Sequence, residues 1–183
     1  MFSEIEPKVQ AAPGYLRYRD VLREVMQSIA PEFNLVFSVD ELSSLAESLP
    51  NWPVFPDVTE ALHTLKERHN LAVISNVDDD LFASTEKALQ VEFDVVVTAE
   101  QVRSYKPDIR NFKAACARMA VEKQNWLHVA ESLYHDIAPA NRLGISSTWV
   151  NRSDRGGGTR QTDAVPDLEV PDLATLTELL CPN

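Results

Sequence analysis

Four short apolar runs, LAVIS (71–75), FDVVVT (93–98), WLHVA (126–130) and SSTWV (146–150), alternate with segments whose apolar residues recur every three or four positions. The first pattern suits a strand buried on both faces, the second an amphipathic helix. The helical faces between the runs carry Leu81, Phe82, Thr85, Ala88 and Leu89, then Ile109, Phe112, Ala115, Cys116 and Met119, then the stretch from about Ser132 to Leu143. Val58, Ala61, Leu62 and Leu65 predict a helix before the first run, and Leu173, Leu176, Leu179 and Leu180 one after the last. Strands joined through helices imply a parallel sheet covered on both faces. Ligands of such a sheet bind beyond the carboxyl ends of its strands.

The first fifty residues follow a different pattern. Tyr18, Val21, Leu22, Val25, Met26 and Ile29 draw one apolar stripe on a helix that ends near Pro31. Ser38 and Glu41 match a capping box for a second helix, whose apolar face is Leu42, Leu45, Ala46 and Leu49. PNWPVFPD, with three prolines in eight residues, cannot continue a helix and sets a boundary between residues 1–50 and 51–183. The stretch NRSDRGGGTRQTDAVP reads as a loop, and not as a phosphate cradle, because it does not run directly from a strand into a helix.

Composition narrows the function classes. With 183 residues and 44% hydrophobic content the chain can bury one sizeable core, or a core and a small lid. A formal charge of -11 argues against nucleic acid and anionic membranes as partners, since both reward clustered Lys and Arg. No apolar run reaches the length of a membrane span, and MFSEIEPKVQ lacks the basic and apolar regions of a signal peptide, so a cytoplasmic protein is expected. Cys116 and Cys181 form no disulfide framework and no zinc spacing.

Three polar clusters sit where the strand-like runs end. Ser75 and Asn76 close the first run, where a hydroxyl and backbone N–H groups can hold an anionic oxygen or cap the next helix. Lys106 precedes Pro107 and Asp108, an extended turn that leaves the ammonium free to neutralise a small anionic substrate. Glu131 and Asp136 straddle a strand end and a helix start, where they can face one hard cation such as Mg²⁺ or simply decorate a helix N-terminus. Asp78, Asp79 and Asp80 read as the first turn of a helix.

In order and placement, SN, SYKPD and HVAESLYHDIAPANRLGISSTWVNR resemble the second, third and fourth motifs of the haloacid dehalogenase-like (HAD) hydrolase superfamily, over roughly residues 52–152. More narrowly the chain resembles the type II haloacid dehalogenase-like proteins. The resemblance implies an α/β, Rossmann-like fold with helices on both faces of a parallel sheet, and a small helical cap formed by residues 1–50. It assigns Ser75, with Asn76, to binding the transferred group, Lys106 to charge stabilisation, and Glu131 and Asp136 to Mg²⁺ in phosphatase members. Dehalogenases of the family usually carry serine where Glu131 stands and need no metal, so Glu131 tilts the reading toward phosphate chemistry.

The departure from the family lies at its first motif, an apolar strand ending in the aspartate that forms a covalent intermediate. No such segment precedes residue 50; the nearest, LVFSVDELSS, ends its apolar run at Asp40 but falls where the cap belongs. The resemblance therefore implies that the first, central strand is missing, by truncation, a displaced start or genuine loss. Two strand edges would then face each other across roughly 10 Å, two strand spacings, which favours homo-oligomerisation or low stability. Two function classes follow: a hydrolase of small phosphorylated or halogenated organic acids, inactive as this chain, or a non-catalytic interaction protein that keeps the fold.

Overall fold

A computed structural model gives the structure, described for residues 1–152 and 162–182. The three glycines of the 151–166 loop lie outside the described residues. Helices α1 (Phe2–Gln10), α2 (Tyr18–Ile29) and α3 (Val39–Ser48) form an amino-terminal layer. They are followed by α4 (Val58–Lys66), β1 (Ala72–Ser75), α5 (Asp79–Leu89), β2 (Val95–Thr98), α6 (Ala99–Val102) and α7 (Ile109–Met119). Next come β3 (Leu127–Ala130), a π-helical turn (Leu133–Ile137), α8 (Ala138–Leu143), β4 (Ser146–Val150), β5 (Leu168–Val170) and α9 (Leu173–Leu180).

Local signals account for most of these elements. Ser38 and Glu41 form the expected capping box, Ser38 Oγ accepting from the Glu41 N–H and Glu41 Oε2 from the Ser38 N–H. Asp108 and Asp172 cap α7 and α9 with one side-chain bond each, accepting from the Arg110 and Thr175 N–H groups. α8 stops at Gly144, whose φ of 66° is left-handed backbone that glycine adopts without strain. Three elements were not expected from the sequence. α1 buries no residue and contains Pro7, α6 is a single turn, and β5 is only three residues long.

All strand pairs are parallel, as expected, but among the described residues they fall into two sheets and not one. β1 pairs with β2, Ile74 opposite Val97, and β3–β4–β5 form the second sheet with Val129 opposite Thr148 and Trp149 opposite Glu169. β1 and β3 are not joined by a ladder. Helices hold the two sheets together from both sides. On one face Phe112 and Ala115 of α7 pack with Ile74, Val97, Trp126, Ala140 and Ile145 in a single core cluster. On the other, Leu62 and Leu65 of α4 and Leu173 and Leu176 of α9 close over β1 and β3, leaving a cavity of about 470 Å³ between the strands.

The helical layer docks through one buried acid. Asp78 is the N-cap residue of α5, one position before the first turn in which the sequence reading placed it; it is fully buried and its carboxylate reaches α2. It accepts from the backbone N–H groups of Tyr18 (2.8 Å) and Arg19 (3.1 Å), donors that the first turn of a helix cannot pair internally. Arg19 adds a side-chain bond to Asp78 and a second to Asp80. Asp79 accepts from Thr98 and Gln101. The three consecutive aspartates thus have three different sets of partners. Around them Val21 and Val25 pack on Ala99 and Tyr105, with Tyr15 and Tyr18 at the edge. Asp78→Ala is expected to lower unfolding free energy by about 2–4 kcal/mol, because it leaves buried donors unpaired. Glu24→Ala, on the exposed side of α2, is expected to change it by less than about 0.5 kcal/mol. Urea unfolding of the two variants measures the difference.

Candidate active site

Lys106 stands at the carboxyl edge of both sheets, fixed at three points. Its backbone is clamped by the Asn76 amide: Asn76 Oδ1 accepts from the Lys106 N–H (2.7 Å) and Nδ2 donates to the Lys106 carbonyl (3.1 Å). Its neighbour Tyr105 is anchored in the helical layer, donating to the Leu16 carbonyl (2.8 Å) and stacking on Tyr15 with ring centroids 5.4 Å apart. Its ammonium is not free, as the extended turn suggested, but donates to the Ile74 carbonyl of β1 (2.8 Å) and to Asp136 Oδ1 (2.7 Å). One side chain therefore ties the edge of β1 to the turn that follows β3.

Asp136 is buried because Ser132, whose Oγ accepts from the His135 N–H, starts a π-helical turn that carries the acid inward. Burial alone would raise its carboxyl. The Lys106 ammonium and the His128 ring, whose Nε2 lies 2.9 Å from Oδ1, outweigh that cost and hold the pKa down at about 2. His128 reaches Asp136 from β3 and is itself packed against Phe112, ring centroids 4.9 Å apart.

Of the residues singled out from sequence, the structure brings Asn76, Lys106 and Asp136 together. Ser75 ends β1, half-buried, opposite Thr98. Glu131 follows β3 and is exposed, its carbonyl accepting from Trp149 Nε1 (2.7 Å). Asp40 is exposed in the first turn of α3 and lines neither cavity at Lys106. Asn76 spends both amide atoms on positioning Lys106. His128 escaped the sequence reading; a lone polar residue in the apolar run WLHVA was the signal for it.

Lys106 lines two cavities. One is the space between β1 and β3. The other, about 540 Å³, opens between the α1–α2 connection and the core and is lined by Tyr15, Arg103, Lys106, Arg110 and Tyr134 among others. Three cationic side chains border this cleft in a chain of net charge -11, together with Asp108, which pairs with Arg110 (3.0 Å). Burial pushes the Tyr15 phenol up to about 12, so it stays protonated at neutral pH and able to donate.

A sequence profile of the haloacid dehalogenase-like hydrolases matches residues 4–150, which spans the helical layer, Lys106, Asp136 and β4. The chain belongs to the haloacid dehalogenase-like hydrolase family. (S)-2-haloacid dehalogenase 4A of Burkholderia cepacia is 28% identical over 132 residues, 70% of this chain and 56% of that one. The glyceraldehyde 3-phosphate phosphatase of Methanothermobacter thermautotrophicus is 34% identical over 102 residues, 53% of this chain and 44% of that one. The chain thus spans about half the length of each. The L-2-haloacid dehalogenase of Xanthobacter autotrophicus with chloropropionic acid covalently bound superposes with a TM-score of 0.84 at 19% identity, covering 99% of this chain and 84% of that one.

Mg²⁺, common in this haloacid dehalogenase-like family, does not suit the side chains as placed. Asp136 already serves an ammonium and an imidazole, Glu131 is exposed, and the described residues hold no group of three His, Cys, Asp or Glu side chains able to bind a metal. The Asp136 pairing should show in acid. A carboxylate whose folded pKa is depressed contributes stability above its unfolded pKa and loses it as pH falls through the folded value. For Asp136 the window runs from about 4, the unfolded value, down to about 2. Wild type is expected to lose up to about 2 kcal/mol through this group across that window. Urea titrations at a series of acid pH values check this: Asp136→Asn should be less stable at neutral pH and lack this part of the acid dependence.

Proposed function

We propose that the chain is the substrate-holding part of a dehalogenase-type hydrolase acting on small 2-halogenated carboxylic acids. The cleft beside Lys106 carries the reading, because it offers a fixed ammonium, two guanidinium groups and a protonated phenol to a carboxylate and a departing halide. The helical layer acts as its cap, and the kinship with (S)-2-haloacid dehalogenases supports the substrate class. In the reaction proposed, an aspartate oxygen attacks the carbon that bears the halogen and the halide leaves with the bonding pair. Water then splits the resulting ester, giving a 2-hydroxy acid, a proton and the regenerated carboxylate.

That step needs a carboxylate in line with the carbon. Near Lys106, Asp136 is held by two partners and Asp108 is paired with Arg110. Lys106, Ser75 and Tyr15 stabilise charge but do not displace halide, so the 183 residues are proposed to bind substrate without turning it over. Phosphate esters are the second reading, favoured by the phosphatase relative.

NMR titration with 2-chloropropionate should shift resonances of Tyr15, Lys106 and Tyr134, and Lys106→Met should weaken binding about 10-fold or more, the value of a charge-assisted hydrogen bond. Halide release by wild type should not exceed that of Lys106→Met. Rapid halide release would show that a described carboxylate is the nucleophile, with Asp136 and Asp40 first to be replaced. Binding of phosphate esters in preference to haloacids would move the substrate class to the phosphatase reading.

A further inference from the structure

The three cations that border the cleft between the α1–α2 connection and the core are not equivalent. Lys106 is paired with Asp136 at 2.7 Å, and Arg110 with Asp108 at 3.0 Å. Arg103 makes no ion pair with a carboxylate among the described residues. Its guanidinium carbon lies 5.2 Å from the centroid of the Tyr15 ring, close enough for a cation–π contact. That ring is in turn stacked on Tyr105, whose hydroxyl donates to the Leu16 carbonyl. An aromatic face steadies a guanidinium, but the five N–H donors lie in the guanidinium plane and still want acceptors. Arg103 thus brings a positioned, uncompensated charge to the cleft.

Two further observations set what that charge can take. Arg103, the residue after α6, stands three positions before Lys106, so their Cα atoms are no more than roughly 11 Å apart. Both side chains border one cavity of about 540 Å³, a size found for ligands much larger than a three-carbon acid. The Lys106 ammonium has three donors and spends two, on the Ile74 carbonyl and Asp136, which leaves one for a substrate carboxylate. We propose that Arg103 is a specificity-determining residue that receives a second carboxylate, so that the cleft selects 2-halogenated dicarboxylic acids over monocarboxylic acids of equal length. The halogen rests on the function proposed above; the second carboxylate rests on the charges of the cleft alone. A diacid gives each of its ends a cation, whereas a monoacid turns an apolar end toward the guanidinium. Because Arg103 is exposed, water makes up part of that loss. The discrimination is therefore about 10-fold, the lower range for one charge-assisted hydrogen bond, and not the larger factors of sealed sites.

Calorimetric titration of the full chain with succinate, butyrate and their 2-chloro derivatives, four carbons each, tests this. At low salt each dicarboxylate is expected to bind about 10-fold more tightly than its monocarboxylate partner, and the ratio should shrink in 1 M salt, where charges are screened. Arg103→Met and Arg103→Gly should both bring the ratio close to 1, and Arg103→Lys should keep part of it. The glycine variant separates loss of charge from loss of fold, because the φ of 52° at this position is left-handed backbone that glycine adopts without strain. A wild-type ratio near 1, a ratio kept in both neutral variants, or no binding of any of the four acids overturns the proposal. Inorganic phosphate bound as tightly as succinate also overturns it, since a compact dianion cannot reach both cations. A preference for succinate over butyrate without any gain from the chlorine sinks the haloacid reading alone. Equal binding of 2-chlorosuccinate and 2-chlorobutyrate, both tighter than the chlorine-free acids, sinks the Arg103 proposal alone.

Discussion

The ion pair between Lys106 and Asp136 is the contact on which the arrangement of this molecule depends. Parallel strands are ordinarily coupled by main-chain ladders, yet the junction between the two sheets here is made at its functional edge by one ammonium, accepted by the Ile74 carbonyl on one side and Asp136 on the other. Such a pair resists loss of either partner, because the remaining group would be left charged and poorly solvated. It holds only because other parts are already in place. Asn76 fixes the lysine backbone, Tyr105 roots the preceding residue in the helical layer, and His128 supports the acid from β3.

Function follows from the same geometry. Lys106 forms part of the wall of two cavities of different character, a cleft bordered by cations and phenols and a slot walled by apolar side chains and strand edges. The first is the cleft proposed to take a small organic anion. Their shared wall is Lys106, the group proposed to stabilise negative charge on a bound substrate. The described helices offer no segment long and apolar enough to cross a membrane.

Much of the fold was legible because its signals are local. The runs that become β1 to β4 stand out by composition, the helices between them by period, and the α3 cap by two residues. The joining of Lys106 to Asp136 was legible only as a consequence of topology: both follow parallel strands, so a separation of 30 residues in sequence becomes 2.7 Å in space. Other features had no local signal. Asp78 reads as one more acid at a helix start, and nothing near it in sequence announces that its acceptors serve α2, sixty residues earlier. β5 is too short to show a period, and Ile74 gives no hint that its carbonyl meets a lysine side chain in place of a neighbouring strand.

The most direct test of this account is the state of the Lys106 ammonium in solution. ¹⁵N-observed NMR of the lysine side chains at neutral pH should show one ammonium that exchanges slowly with water, assigned by its absence in Lys106→Met, and that becomes fast in Asp136→Asn while the fold persists. A Lys106 ammonium that exchanges as fast as the surface lysines, or that is unchanged by Asp136→Asn, would contradict the claim that this pair joins the two sheets and organises the site.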